Sequence, residues 1–187
     1  MSFQTNSRII KRSAKDAVEM TSFMLETTTS ATRYHESHPQ DLPIAAFLVN
    51  SKTSKILLTT HDTRMSTRHP LNHSIMLLLK ELPSLLPQNT SAAVPEDPDE
   101  EEQYYAQMYD VYVTHEPCMM CCMALVHSRI RRLIFWRGMK TGAREVGWMK
   151  GDEIEGVLNH RFMSFEGIPG ALGKDMEVVE LGEEIYA

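Results

Sequence analysis

The sequence predicts an α/β fold, a central mixed sheet of about five strands with helices on its faces. Three observations carry that prediction. Short continuous apolar runs of strand length recur, at 44–50 (IAAFLVN), 55–60 (KILLTT), 109–114 (YDVYVT) and 132–136 (RLIFW). Between them lie stretches whose apolar residues wrap most of a helical circumference, as in buried helices. The order is helix, hairpin, then helix–strand–helix–strand, which suits parallel crossovers within one sheet. A chain of 187 residues is enough for one compact domain and not comfortably two.

Each element has a local reason. Ser13 caps a first helix over 13–34, with Asp16 three residues on. Its apolar face is Ala14, Ala17, Val18, Met24 and Leu25, and its Thr-rich second half weakens it. Residues 35–43 (HESHPQDLP) read as a loop. The runs at 44–50 and 55–60 flank a short polar gap and form a hairpin. Pro70 precedes a buried helix, LNHSIMLLLKELPSLL, which Pro83 ends or kinks. YDVYVT is a strand, Pro117 opens a second buried helix (CMMCCMALVHS), and RLIFW is the next strand. A further strand is expected at 161–166 (RFMSFE). The end, MEVVELGEEIYA, is of uncertain type.

Charge is unevenly spread. The chain carries 19 basic and 25 acidic residues, a net −6, and six of those acids lie between Glu96 and Glu102. Without that run the two signs balance. Residues 87–103 are Pro-, Asn- and acid-rich and read as a disordered acidic surface insertion. A neutral body excludes a strong solitary nucleic-acid binder, whose affinity comes mainly from neutralising phosphates. The three cysteines, Cys118, Cys121 and Cys122, fall within five residues and build no long-range disulfide framework. No apolar run approaches the roughly 20 residues of a membrane helix, and the first residues lack a signal-peptide core. The expected location is cytoplasm and/or nucleus, not secretion.

The strongest chemical signal is Pro117-Cys118-Met119-Met120-Cys121. Two thiolates at this spacing make a zinc half-site, and residues three apart share one face of a helix. At the start of a helix the dipole favours thiolate over thiol. A redox pair and a set of buried thiols are the competing readings of the same residues. Cys122 lies about 100° further round the helix and faces the core. Among eight histidines, His73 stands out at the start of the helix that follows Pro70.

A helix-start histidine followed by P-C-x-x-C resembles the zinc-dependent cytidine and adenosine deaminases, whose signature is H-x-E…P-C-x-x-C. The resemblance implies a three-layer αβα sandwich and a single Zn²⁺ held by His73, Cys118 and Cys121. In that family the metal activates a water and the glutamate two residues after the histidine moves protons. Here that position is Ile75, which can do neither. Glu116 is a poor substitute, because a glutamate before Pro-Cys also accompanies an intact H-x-E.

The departure at Ile75 points within the family to the non-catalytic subunit of the eukaryotic tRNA adenosine-34 deaminase. The segments HPLNHSIM (69–76), YDVYVTHEPCMMCCMALVHSRIRRLIF (109–135), Gly142-Ala143 and LNHRFMSFEGI (158–168) carry it, across roughly 42–168. It implies a heterodimer with a catalytic subunit that converts adenosine to inosine at the wobble position, tRNA binding through the complex, and a structural zinc. Residues 1–12 then form a flexible arm, and 13–187 a single zinc-binding domain. Family members usually carry an additional N-terminal domain, so this chain is either a minimal form or a truncated one. The candidate tRNA contacts are Arg64, Arg68, Arg129, Arg131 and Lys140. Asn159, His160 and Arg161 form either a loop-fixing hydrogen-bond cluster or a substrate contact, and the structural role is favoured. The competing functions are an active cytidine or nucleotide deaminase with an unconventional proton shuttle, and a zinc-stabilised interaction domain.

Overall fold

The computed structural model describes residues 14–85, 106–143, 160 and 162–166, with side chains given from Val18 onward. The expected arm at 1–12, the acidic insertion at 87–103, Asn159, Arg161 and the segment from 176 lie outside the described residues. Helix α1 spans Ala14–Ser37, and strands β1 (Ala45–Asn50) and β2 (Lys55–His61) follow as an antiparallel hairpin. A short helix α2 (Arg64–Thr67), absent from the sequence expectation, leads to α3 (Ser74–Leu85). Then come β3 (Tyr109–His115), α4 (Met119–His127), β4 (Arg132–Arg137) and β5 (Met163–Glu166).

The five strands form one sheet in the order β2-β1-β3-β4-β5. β1 is antiparallel to both of its neighbours, whereas β3, β4 and β5 run parallel. So β2 and β3 point the same way, and α3 carries the chain across β1 between them. Helix α4 makes the next parallel crossover. This is the mixed sheet the element order predicts.

Strand alternation divides the core into two layers. Ala46, Leu48, Val111, Val113, Leu133 and Phe135 face α3 and α4 and pack with Ile75, Leu78, Leu82, Cys121 and Leu125. Phe47, Val49, Tyr112 and Ile134 face the other way, onto Met20 and Met24 of α1. The register keeps like with like: Leu48 pairs with Val111 and Val111 with Leu133, so each row of the sheet presents one face. Burial on both sides explains why β1, β3 and β4 read as continuous apolar segments, whereas the edge strand β2 is largely uncovered.

Helix α1 corrects two expectations. Its buried face is Met20, Met24, Thr27, Thr28 and Ala31, while Val18 is 70% and Leu25 40% exposed. The spacing follows the helical period, but two threonines occupy positions where apolar residues were sought. Their hydroxyls are satisfied within the helix: Thr27 Oγ1 donates to Phe23 O at 2.7 Å and Thr28 Oγ1 to Leu25 O at 2.9 Å. Thr29 and Thr32 do the same on the other faces, and the helix runs on to Ser37, beyond the expected end.

The crossover helices are buried along one side rather than all round. Ser74, Ile75, Leu78 and Leu82 of α3 are buried, as are Cys121, Cys122 and Leu125 of α4, but Met123 is 55% exposed. Pro83 sits inside the last turn of α3, which extends two residues past it.

Candidate metal centre

Two helix N-termini meet at one end of the sheet. His73 caps α3: its carbonyl accepts the Leu77 N–H at 3.0 Å. Thr60 Oγ1 of β2 donates to Ser74 O at 2.7 Å and fixes that first turn against the sheet. Cys118 caps α4 in an extended conformation (φ −68°, ψ 168°), its carbonyl accepting the Cys122 N–H at 3.0 Å. The helix therefore opens two residues later than Pro117 suggests. Cys118 flanks the first turn, and Cys121 lies within it.

His73 Nδ1 lies 3.9 Å from Cys118 Sγ, and the ligand atoms of His73, Cys118 and Cys121 all fall within 4.8 Å of one another. Among the described residues this is the one such group of histidine, cysteine and acidic side chains. Tetrahedral zinc, at bond lengths of about 2.3 Å to sulfur and 2.0 Å to nitrogen, places donor atoms roughly 3.5–3.8 Å apart. One nitrogen and two sulfurs at nearly that spacing fit the ion.

The electrostatics are those of a thiolate site. Cys118 is held down to about 4, chiefly because the Cys121 thiol donates to it, with His73 adding to the effect. Cys121 is pushed up, as the donor of that pair and by burial. The two sulfurs thus share one proton, and a dication would displace it. Cys122, fully buried, is pushed up to about 12 by burial and faces the core, as its position round the helix predicts.

The cavity beside the cluster is about 40 Å³ and is lined by Asp62, Arg64, Ile75, His115 and Glu116 as well as the three donors. A single water needs on the order of 10–15 Å³. The space beside the donors admits an ion and a few waters. Ile75 is 2% exposed and belongs to the core with Leu78 and Leu125. It presents hydrocarbon where a deaminase presents a carboxylate.

Glu116 clasps the loop after β4. Its Oε2 accepts the Met139 N–H at 2.9 Å, and its N–H donates to Arg137 O at 2.7 Å. The Ala143 N–H donates to Pro117 O at 3.0 Å, closing the clasp. Gly142 packs so tightly on the Glu116 carboxyl that any Cβ there would overlap it. His115 is 4% exposed and is pushed down to about 4, first by burial and then by Arg137.

The candidate tRNA contacts divide. Arg64 is committed to Asp62 at 3.0 Å. Arg131 grips Asp110 with two bonds, at 2.8 and 2.7 Å, and Arg132 adds a third at 2.6 Å. Arg68 and Arg129 sit at positive φ, 51° and 56°, just past helix ends. Arg68 and Lys140 are exposed. His160 donates from Nε2 to Ile130 O at 2.8 Å, a loop-fixing role as expected. Asp62 and Asp110, both 1% exposed, were not anticipated. Asp110 had a visible signal: a lone acid inside an apolar strand, with two arginines opening the next one.

A deaminase-type zinc domain is the class that this sheet and this His/Cys/Cys cluster define. Residues 18–137 match the family model for the cytidine and deoxycytidylate deaminase zinc-binding region, and the chain belongs to that family. A Danio rerio protein, "Probable inactive tRNA-specific adenosine deaminase-like protein 3", is 33% identical over 67% of this chain and 40% of its own length. The Schizosaccharomyces pombe "tRNA-specific adenosine deaminase subunit tad3" is 31% identical over 77% of this chain and 44% of its own. The Saccharomyces cerevisiae subunit TAD3 is 29% identical over 87% and 49%. The chain thus spans under half the length of these relatives. A structure from a study of tRNA A34 deaminases superposes with a TM-score of 0.57 at 22% identity, covering 78% of this chain and 98% of the other. A second, in complex with 2,6-diaminopurine, has a TM-score of 0.56 at 17% identity, covering 80% and 74%. Both share the fold.

Proposed function

We propose that this chain is the non-catalytic subunit of a heterodimeric tRNA adenosine deaminase acting at wobble position 34. The observation that carries the reading is Ile75. It lies two residues after the metal-site histidine, buried in the core, and provides no group to move a proton. Loss of a positioned acid or base costs on the order of 10²–10⁴ in rate. The relatives named as inactive or as subunits support the same assignment.

His73, Cys118 and Cys121 would hold one Zn²⁺, whose bound chemistry here is structural: it ties the starts of α3 and α4 together. The chain's own residues do the rest. Ile75 seals the wall with hydrocarbon, and Glu116 and Gly142 fix the loop carrying Lys140. Arg68, Arg129 and Lys140 are offered to the tRNA phosphates. Arg64 and Arg131 contribute charge at the same sites while bound to their carboxylates. Catalysis belongs to a partner subunit with an intact H-x-E, in the cytoplasm and/or nucleus.

The test is an inosine assay on tRNA with this chain alone, a catalytic subunit alone and the two together. Conversion is expected only for the pair, with the two co-purifying. Turnover by this chain alone would establish the active-deaminase reading instead.

A further inference from the structure

The wall facing the His73, Cys118 and Cys121 donors includes an ion pair that the missing glutamate does not explain. Asp62 is 1% exposed, and Arg64 Nε lies 3.0 Å from each of its carboxylate oxygens. The Arg64 backbone N–H also donates to Oδ1, at 3.2 Å. The corner is held from two sides. The Asp62 N–H donates to Ile44 O at 2.9 Å, and the Thr63 N–H to Asn72 O at 3.1 Å, immediately before His73. The Arg64 side chain is itself 16% exposed and lines the same cavity as Ile75. Burying such a pair gains little stability, since desolvation offsets the attraction.

We propose that Asp62–Arg64 is a second closure of this pocket, independent of Ile75. Both residues line the cavity of about 40 Å³ beside the donors, and on this reading their paired side chains keep a nucleobase out of it. The chain is therefore two steps from an open deaminase pocket, and restoring the glutamate removes one of them. The inference rests on reading the cluster as a metal site.

The test loads the full chain with Co²⁺, whose visible spectrum reports its ligands, and titrates it with imidazole, a neutral ring smaller than a purine. Wild type is compared with Asp62→Asn/Arg64→Ala, in which the carboxylate is neutralised so that no buried charge is orphaned. Both are expected to bind one equivalent of Co²⁺. The double variant is expected to respond to imidazole at concentrations at least tenfold below any that moves the wild-type spectrum. In a second arm, purine riboside should perturb Ile75→Glu/Asp62→Asn/Arg64→Ala and leave Ile75→Glu alone unmoved. Equal responses of wild type and variant overturn the proposal. So does a wild-type response at low millimolar imidazole, whatever the variants do. If the double variant fails to load, Arg64→Ala alone decides by the same comparison. Failure of the wild type to bind Co²⁺ overturns the metal reading itself.

Discussion

His73 Nδ1 and Cys118 Sγ stand 3.9 Å apart although 45 positions separate them in the chain. Each residue caps a helix, so their contact brings two positive dipole ends together. A thiolate at Cys118 offsets that repulsion, and a shared metal ion would lock it. Replacing Cys118 or Cys121 by Ser, or His73 by Ala, is expected to abolish stoichiometric zinc, measured by elemental analysis. It should also lower the melting temperature by more than chelator treatment lowers it in the variant itself. Zinc loading near neutral pH should release about one proton, because Cys118 is already a thiolate and Cys121 is not.

His115 gives stability a pH dependence with a definite sign. Its folded value lies near 4, below the usual 6.5. Below about pH 6.5 the unfolded chain takes up a proton that the folded chain refuses. The contribution is therefore complete above that pH and is lost as pH falls toward 4, by on the order of 3 kcal/mol. Denaturant titrations of wild type and His115→Gln should diverge in slope over this window. Parallel curves would refute the assignment.

Asp110 holds two arginines from a 1% exposed position. Asp110→Ala removes the carboxylate that Arg131 and the buried Arg132 share and should cost about 3–5 kcal/mol. Asp110→Glu is expected to recover part of it. Equilibrium unfolding distinguishes this from a surface ion pair, which would be worth under about 1 kcal/mol.

Gly142→Ala puts a methyl into the Glu116 carboxyl. An overpacking cost of about 1–3 kcal/mol is expected. Glu116→Ala in the same chain should remove most of that increment, so a double-mutant cycle should show strong coupling. Additive effects would place the glycine's role elsewhere.

Arg129 gives a test of the proposed tRNA surface. It holds a left-handed conformation at φ 56° after α4, where glycine avoids a cost of about 1–2 kcal/mol. Arg129→Gly relieves that backbone cost as it removes the side chain, and is expected to weaken tRNA binding by the proposed heterodimer, measured by filter binding at fixed salt on protein whose folding is checked by melting. Unchanged affinity would remove Arg129 from the tRNA surface.

The parts of the fold read most directly from the chain are those where one physical term dominates. Phe47, Leu48 and Val49 are buried on both faces of the sheet, so their run declares a strand without alternation. Pro117-Cys118-x-x-Cys121 declares its site because ligand spacing and helix start coincide. Helix α1 was harder. Thr27 and Thr28 are buried because they bond to their own backbone, which composition does not reveal. Pairing was harder to read: Asp62 stands two positions before Arg64 and Asp110 is a lone acid in an apolar strand, but the pattern alone does not say that each carboxylate is buried and holds its arginine. The α2 turn is only four residues long and buries none of them, which leaves no periodic signal.

The position of the acidic insertion acquires a different meaning from the topology. The chain departs from α3 at Leu85, about 18 Å along the helix axis from His73 at 1.5 Å per residue. It re-enters at Ala106, ahead of β3, whose seven residues run the length of the sheet back toward Cys118. Both anchor points thus lie at the far end of the domain from the donors. The length of the connection between the two halves of the centre is thus decoupled from the donor geometry, and an epitope or affinity tag placed there should leave metal content untouched.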